Sequence, residues 1–273
     1  MERLLTKQWI EDNLQTLTEW QRDAYTSFVN RVGDKENLYP CVPGRQGLLE
    51  GHLRFGFLPD PRTKVAREVL ADLLRQYDKC ARQAGRYTSL VIFYETSLLR
   101  TLDVLGFESL FWSILSDLHQ LDETVWPNHI SMDPNHYSWE FCFGGQPYFA
   151  FCSTPSHHLR KSRYSEYFTM AFQPRFVFDD IHQNTAYGRR LKQAIRRRLA
   201  AYDEVPIHPA LGWYGEAENH EWQQYFLRDN ESMPTQCPFK HGTAWGADRL
   251  MLNESRLFPV PDEGHGDKQN DER

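Results

Sequence analysis

The 273-residue sequence lacks the short motifs that identify several common enzyme classes. It has no G-x-x-x-x-G-K-[S/T] phosphate loop, no G-x-G-x-x-G fingerprint, no H-E-x-x-H zinc motif and no G-x-S-x-G nucleophile elbow. These absences argue against nucleotide binding by those routes, against zinc-protease chemistry and against ordinary serine hydrolysis.

Long apolar runs are also missing. The N-terminus shows no apolar stretch typical of a signal peptide, and no run of about 18 apolar residues predicts a membrane span. The cysteines are odd in number, widely spaced and never in a C-x-x-C pair, which predicts reduced thiols. The five are Cys41, Cys80, Cys142, Cys152 and Cys237. We therefore expect a cytoplasmic protein with no membrane partner.

Positive charge is too scarce for general binding of a phosphate backbone. The net charge is −6, so no nucleic-acid partner is expected. The basic run 189–198 lies on a helical pattern and is interpreted as a solvated face. Aromatic residues are abundant at 14%. They predict a large aromatic core, or alternatively the lining for a flat apolar cofactor.

The apolar spacing predicts an α+β fold, with a central, mostly antiparallel sheet flanked by helices in a single domain, 1–259. A charged tail, 260–273, is expected to be disordered. Predicted helices cover 9–32, 63–84, 107–121 and 185–202. Predicted strands cover 52–58, 89–94, 137–143, 147–152, and 167–172 with 175–178, and a short extended piece covers 38–44. Gly144–Gly145 predicts a hairpin between two strands.

A histidine-rich and basic segment, 154–163, offers groups suited to haem. His157 could be an axial ligand, because a neutral imidazole binds haem iron well. Arg160 and Arg163 could pair with haem propionates through their planar, two-donor guanidinium groups. An exposed basic turn is the alternative interpretation of the same residues.

Other residues are candidates for metal or substrate binding. His119 with Asp122 could ligate non-haem iron or zinc, or form a capped helix end. Cys41 or Cys237 could supply a thiolate to haem, although free cysteines are more often small buried residues. Glu140, which lies among aromatic residues, could hold a guanidinium group or could point outward from its strand.

A set of spaced motifs accompanies these candidates. They are Phe111–Trp112, Leu118–His119 with Asp122, Trp126–Pro127, Asp133–Pro134, Trp139–Gly145, Cys152–His157, Arg160 with Ser162–Arg163, Phe172–Arg175, Ala201–Asp203, His208–Pro209, Trp222–Leu227 and Cys237–Phe239, with Pro40–Val42 upstream. Through them the sequence resembles the YqcI/YcgG family, over roughly 20–240 and most densely from 107 onward.

The resemblance implies a function. Members with an assigned role are haem proteins that N-hydroxylate a guanidine. The resemblance therefore predicts a haem b monooxygenase that converts L-arginine to Nω-hydroxy-L-arginine in antibiotic (D-cycloserine) biosynthesis. The family histidines fall on His157, the expected axial ligand, and on His119, the alternative. Glu140 would then hold the substrate, and an external electron donor or peroxide would be needed. A non-catalytic haem-binding or haem-sensing protein and a non-haem metalloenzyme are the competing hypotheses.

Overall fold

The computed structural model describes residues 4–181, 183–213 and 216–241. Its centre is a six-stranded sheet with the order β1-β2-β3-β6-β5-β4. The strands are β1 Leu5–Thr6, β2 Arg54–Leu58, β3 Leu90–Tyr94, β4 Phe141–Phe143, β5 Gln146–Ser153 and β6 Thr169–Pro174. Only the β2–β3 pair is parallel, so the predicted α+β class with a mostly antiparallel sheet is confirmed.

Helices cover both faces of this sheet in the described part of the chain. They are α1 Lys7–Asp12, α2 Glu19–Gly33, α3 Val42–Leu49, α4 Lys64–Ala84, α5 Val104–Leu121 and α6 Ala186–Tyr202. The elements lie in a compact unit that ends at Lys240. The predicted tail 260–273 lies outside the described residues.

Alternation along β3 shows how the sheet divides two apolar cores. Leu90, Ile92 and Tyr94 pack with α4 and α5, whereas Val91 and Phe93 pack with α1, α2 and α3. Because successive strand side chains point to opposite faces, a strand buried on both sides reads as a continuous apolar run. The sequence of β3 has this property.

The helix predictions with the clearest apolar spacing are confirmed. The prediction over 63–84 matches α4, which begins after Thr63, whose hydroxyl accepts a hydrogen bond from the N–H of Ala66 at 3.3 Å. The prediction over 185–202 matches α6, where Thr185 accepts from Gly188 at 2.9 Å. A hydroxyl at this position satisfies a donor that the first helical turn leaves unpaired.

Three local predictions were wrong. The helix over 9–32 is interrupted, because Thr18 and Gln21 form a capping box that starts α2. The extended piece 38–44 is helical from Val42, since Pro43 lies in the first helical turn, where it is tolerated. The strand over 175–178 is instead a 3-10 helix that follows β6 at Pro174.

The Gly144–Gly145 hairpin is confirmed. Both glycines have positive φ, 61° and 75°, which a side chain would disfavour. Asp122 accepts a hydrogen bond from the N–H of Gly144 at 2.8 Å and so ties this turn to the end of α5. Among the described residues, no helix is both long and apolar enough to cross a membrane.

Candidate functional site

A large cavity lies between β5 and α6. It has a volume of about 240 Å³ and opens to solvent. Phe149 and Phe151 reach it from β5, because they alternate with Tyr148, Ala150 and Cys152, which pack in the core on the α4–α5 side. Its further apolar lining consists of Phe178, Ile181, Ile195, Leu199, Leu211, Trp213 and Leu227. A concave, mostly apolar site with a few polar groups is the usual form of a small-molecule site.

Glu221 supplies a carboxylate to this wall. It begins a 3-10 helix, Glu221–Gln224, and is 6% exposed. Within the residues that the structure describes, its carboxylate makes neither a hydrogen bond nor an ion pair. Burial raises the pKa of Glu221 to about 7, although the charge of Arg175 opposes that rise. A buried carboxyl of this kind takes up either a proton or a cation.

Glu140, the predicted substrate ligand, lies beside this site but already has a partner. Its carboxylate forms an ion pair with Arg175 and is 3% exposed. Burial and the nearby Glu221 raise the pKa of Glu140, while contact with the Arg175 guanidinium favours its ionised form. Two buried carboxyl groups therefore share one guanidinium, and a further cation would balance the second one.

Two cations from α6 line the same cavity. Lys192 lies with its ammonium group 4.0 Å from the centre of the Trp213 ring. Arg196 donates to the carbonyl of Leu211 at 3.4 Å. In the described part of the chain neither forms an ion pair with a carboxylate. Desolvation, with repulsion by Arg196 as the second cause, lowers the pKa of Lys192 to about 8.

Cys41 also lines the cavity. Its sulfur caps α3 and accepts a hydrogen bond from the N–H of Gly44 at 3.3 Å. Burial raises the pKa of the thiol, while the Gly44 hydrogen bond and the charges of Arg163 and Arg198 lower it. Of the iron-ligating side chains that the sequence suggested, Cys41 is the one placed in this wall.

Arg160 and Arg163 were predicted to bind propionates, and the structure uses their guanidinium groups internally. Arg160 is 1% exposed and lies 3.7 Å from the buried Asp203 carboxylate. It donates to the carbonyls of Arg228, Pro206 and Asn230 at 2.8, 3.2 and 3.3 Å. We call these two arginines, together with His157, the latch, because they fasten the segment 203–230.

Arg163 holds the chain that carries Glu221. Its two terminal nitrogens donate to the carbonyls of Gln224 and Tyr225 at 2.9 and 3.0 Å. Its guanidinium also lies over the Phe151 ring, 5.2 Å from the centroid. Arg163 therefore positions the 3-10 helix of Glu221 against β5, and its predicted contact with a propionate stays a prediction.

His157 has both ring nitrogens in hydrogen bonds. Nε2 donates to the carbonyl of Leu227 at 2.8 Å, so Nδ1 accepts from the Thr154 hydroxyl, also at 2.8 Å. The ring is 1% exposed, and burial lowers the pKa of His157 to about 4. A neutral imidazole with both nitrogens engaged has no lone pair left for iron. In this geometry the residue does not fit the axial role predicted for it.

The alternative pair, His119 with Asp122, serves other contacts. The Asp122 carboxylate accepts from the N–H groups of Gly144 and Thr124. The His119 ring packs against Trp126, with the centroids 5.4 Å apart. Over the described residues, no group of three or more His, Cys, Asp and Glu side chains gathers in a way that could hold a metal ion.

The sequence interpretation missed Glu221, Lys192 and Arg196. Glu221 directly precedes the family motif Trp222–Leu227, so it lay one residue outside the stretch that the resemblance identified. The two cations are four residues apart in the basic run that we interpreted as solvated. Such spacing places them on one helix face, but it does not show that the face meets a cavity.

Comparisons with known proteins show the family to which the chain is similar. The sequence profile of the YqcI/YcgG family matches residues 25–240. YqcI of Bacillus subtilis (strain 168), which is uncharacterised, is 47% identical over 88% of this chain and 95% of its own length. YcgG of the same strain, also uncharacterised, is 47% identical over 87% of this chain and 95% of its own.

A third relative has a name that indicates chemistry. DcsA of Streptomyces lavendulae is 30% identical over 86% of this chain and 89% of its own length. Its name assigns it, provisionally, an N(omega)-hydroxy-L-arginine synthase activity. No solved structure gives a significant match.

Proposed function

The chain belongs to the YqcI/YcgG family, and from this premise we propose that it N-hydroxylates the guanidino group of L-arginine. The name of DcsA supplies the reaction, as that of a relative 30% identical to this chain. The observation that carries the proposal is the buried carboxylate of Glu221 in an apolar cavity, where it forms no hydrogen bond or ion pair with the described residues. Membership of a D-cycloserine pathway stays a prediction.

Glu221 would bind the substrate guanidinium. A carboxylate meets the planar guanidinium fork with two parallel hydrogen bonds, and burial strengthens them. Phe149 lines the same cavity and would contact the substrate cation through its ring, whereas the Phe151 ring already lies against Arg163. This chain would hold the guanidino nitrogen still and away from bulk water, which is the part of such a reaction that a protein supplies.

We further propose haem b as the cofactor. When bound, haem supplies the oxygen activation that an N-hydroxylation needs. The mostly apolar lining suits a flat apolar group, and Cys41 would hold the iron through its sulfur, because it is the suggested donor that lines the wall. His157 does not fit, since both of its nitrogens are engaged.

The reaction balances with either of two co-reactants. Peroxide would give one oxygen atom to the guanidino nitrogen and leave as water. Dioxygen would need two electrons and two protons from an external donor, with the second oxygen leaving as water. The proposed partners are therefore L-arginine and an electron donor or peroxide.

One experiment tests the proposal. The protein is expressed with haem supply, its Soret band is recorded, and L-arginine is added with peroxide or with a reductant and dioxygen. We expect a Soret band and, by mass spectrometry, an arginine product with one added oxygen. Haem without product would favour a haem sensor, and product without haem would favour a non-haem metalloenzyme. An absence of both would contradict the proposal.

A further inference from the structure

We propose that Lys192 and Arg196 bind the α-carboxylate of the substrate while Glu221 binds its guanidinium. The cavity would thus select a free α-amino acid over a guanidine that lacks the carboxylate. This inference rests on the proposed function, because it assumes that the cavity receives a guanidine. It adds the position of the other end of the molecule and the residues that recognise it.

The two cations lie close together in the cavity wall. Lys192 and Arg196 are four residues apart on α6, so their side chains lie on the same helix face. Both line the cavity. Their like charges repel each other, and that repulsion contributes to the lowered pKa of Lys192. An anion placed between them would turn this repulsion into two attractive contacts.

Nearby protein carboxylates do not fulfil that role in the described part of the chain. Glu216 exerts an attraction on Lys192, but its carboxylate is hydrogen-bonded to the side-chain amide of Gln183. Asp203 also lines the cavity, and it accepts hydrogen bonds from the N–H and hydroxyl of Ser162 at 2.7 and 2.9 Å. The two cations therefore line the cavity without an ion pair to any carboxylate that the structure describes.

Charges of opposite sign thus line the one cavity. Glu221, on the 3-10 helix, offers an anion, and α6 offers two cations. L-arginine carries the complementary pattern, a guanidinium at one end and a carboxylate at the other. A guanidinium without a carboxylate, or a carboxylate alone, would satisfy only one of the two groups.

The Trp213 ring supports the position of Lys192. The ammonium group lies 4.0 Å from the ring centre, which favours the charged form and restricts the side chain. A pre-positioned lysine loses less conformational freedom when it binds an anion. The contact therefore favours recognition of a carboxylate over a freely moving surface charge.

Calorimetric titration of the purified protein tests the inference. The ligands are L-arginine and L-argininamide, which differ in the charge of the carboxyl end. We expect the wild type to prefer L-arginine by about tenfold or more, equivalent to about 1.4 kcal/mol. The double variant K192M/R196M should lose that preference and keep its affinity for L-argininamide. The control R197M changes an exposed arginine of the same helix and should keep the preference.

Other outcomes separate the two proposals. Equal wild-type affinities for the two ligands, or a preference retained in K192M/R196M, would overturn this inference and leave the proposed function in place. Failure of the wild type to bind either ligand would overturn the proposed function and this inference with it. E221Q should weaken both ligands alike, because it removes the guanidinium partner and not the carboxylate partner.

Discussion

Two neighbouring regions of this protein are rich in charge and use it in opposite ways. In the latch, Arg160, Arg163 and His157 donate hydrogen bonds to backbone carbonyls. In the cavity, Glu221 and Lys192 form no ion pair among the described residues, although the charges of Arg175 and Glu216 act on them. Residue types alone favoured the latch as the site. The hydrogen-bond partners of these side chains favour the cavity.

The difference follows from the cost of burying polar groups. A buried guanidinium or imidazole is stable only if its donors are satisfied, and the latch satisfies them from the segment 203–230. Groups satisfied in this way hold the fold together. A buried carboxylate without a partner is unfavourable for the free protein, and a ligand that pairs with it relieves that cost. The latch therefore positions the cavity wall, and the proposed substrate site lies in the cavity.

The largest expected effect is a loss of folding stability when a latch residue is replaced. R160M should lower the free energy of unfolding by about 3–5 kcal/mol, because Asp203 and three carbonyls lose a buried partner. Urea denaturation measures the change. R190M, at an exposed position of α6, is the matched control and should change stability by about 0.5 kcal/mol or less. A loss below about 1 kcal/mol for R160M would show that the latch is not structural.

The second largest effect should be a loss of folding stability at acid pH, caused by protonation of His157. Its pKa is about 4 in the folded protein, below the ordinary value of 6.5, so the unfolded chain binds more protons between these values. Its contribution is complete above pH 6.5 and is lost as the pH falls toward 4. Asp229 favours the charged form, whereas burial, Arg163 and Arg160 oppose it.

The size of this loss is up to about 3 kcal/mol for one histidine. H157Q should remove that part of the acid sensitivity when wild type and variant are unfolded in urea across the range. H158Q, which changes the exposed neighbouring ring, should retain it. Identical acid profiles for H157Q and wild type would mean that His157 is not held neutral by the fold.

The two regions also differ in their expected effect on haem. C41S should reduce haem affinity by about tenfold or more and remove the thiolate signature, a red-shifted ferrous–CO Soret band. H157Q should leave the spectrum of the bound haem unchanged. C80S is the control, since Cys80 lies in α4 away from the cavity lining. Loss of haem in H157Q with a normal C41S spectrum would restore the axial role to His157.

A smaller effect should be a decrease in arginine affinity at acid pH. Only ionised Glu221 pairs with a guanidinium, and its pKa is about 7 in the free protein. Arginine affinity should therefore fall below pH 7 by up to about tenfold per pH unit. Glu140 and Arg175 are the charged groups that face Glu221. Because E140Q removes a repelling negative charge, it should shift the decrease in affinity to lower pH. An affinity independent of pH from 5 to 7 would contradict the assignment of Glu221.

The sequence allowed prediction of those features that depend on local spacing. The apolar repeat of α4 and the unbroken apolar run of β3 follow from periodicity and burial. The interruption before α2 was visible in principle, since Thr18 and Gln21 have capping-box spacing. The strand predicted over 175–178 failed because its alternation resembles a strand, while Pro174 and the following turn end the ladder.

The site was harder to predict because its partners are distant in sequence. His157 bonds to Leu227, 70 residues away, and Arg160 to carbonyls up to 70 residues away. Nothing near residue 157 shows that these donors are already used. The family motifs did include residues of the cavity wall, since Cys41, Arg160 and Arg163 all line it. They could not distinguish a positioning residue from one with a free charge.

The central claim is that Glu221, rather than the latch, binds the substrate. Calorimetric titration of L-arginine into wild type, E221Q and E218Q at pH 7.5 tests it most directly, since E218Q changes an exposed carboxylate close by in the sequence. We expect E218Q to bind like wild type and E221Q to bind more weakly by about 2 kcal/mol, or roughly 30-fold. Wild-type affinity in E221Q would contradict the account.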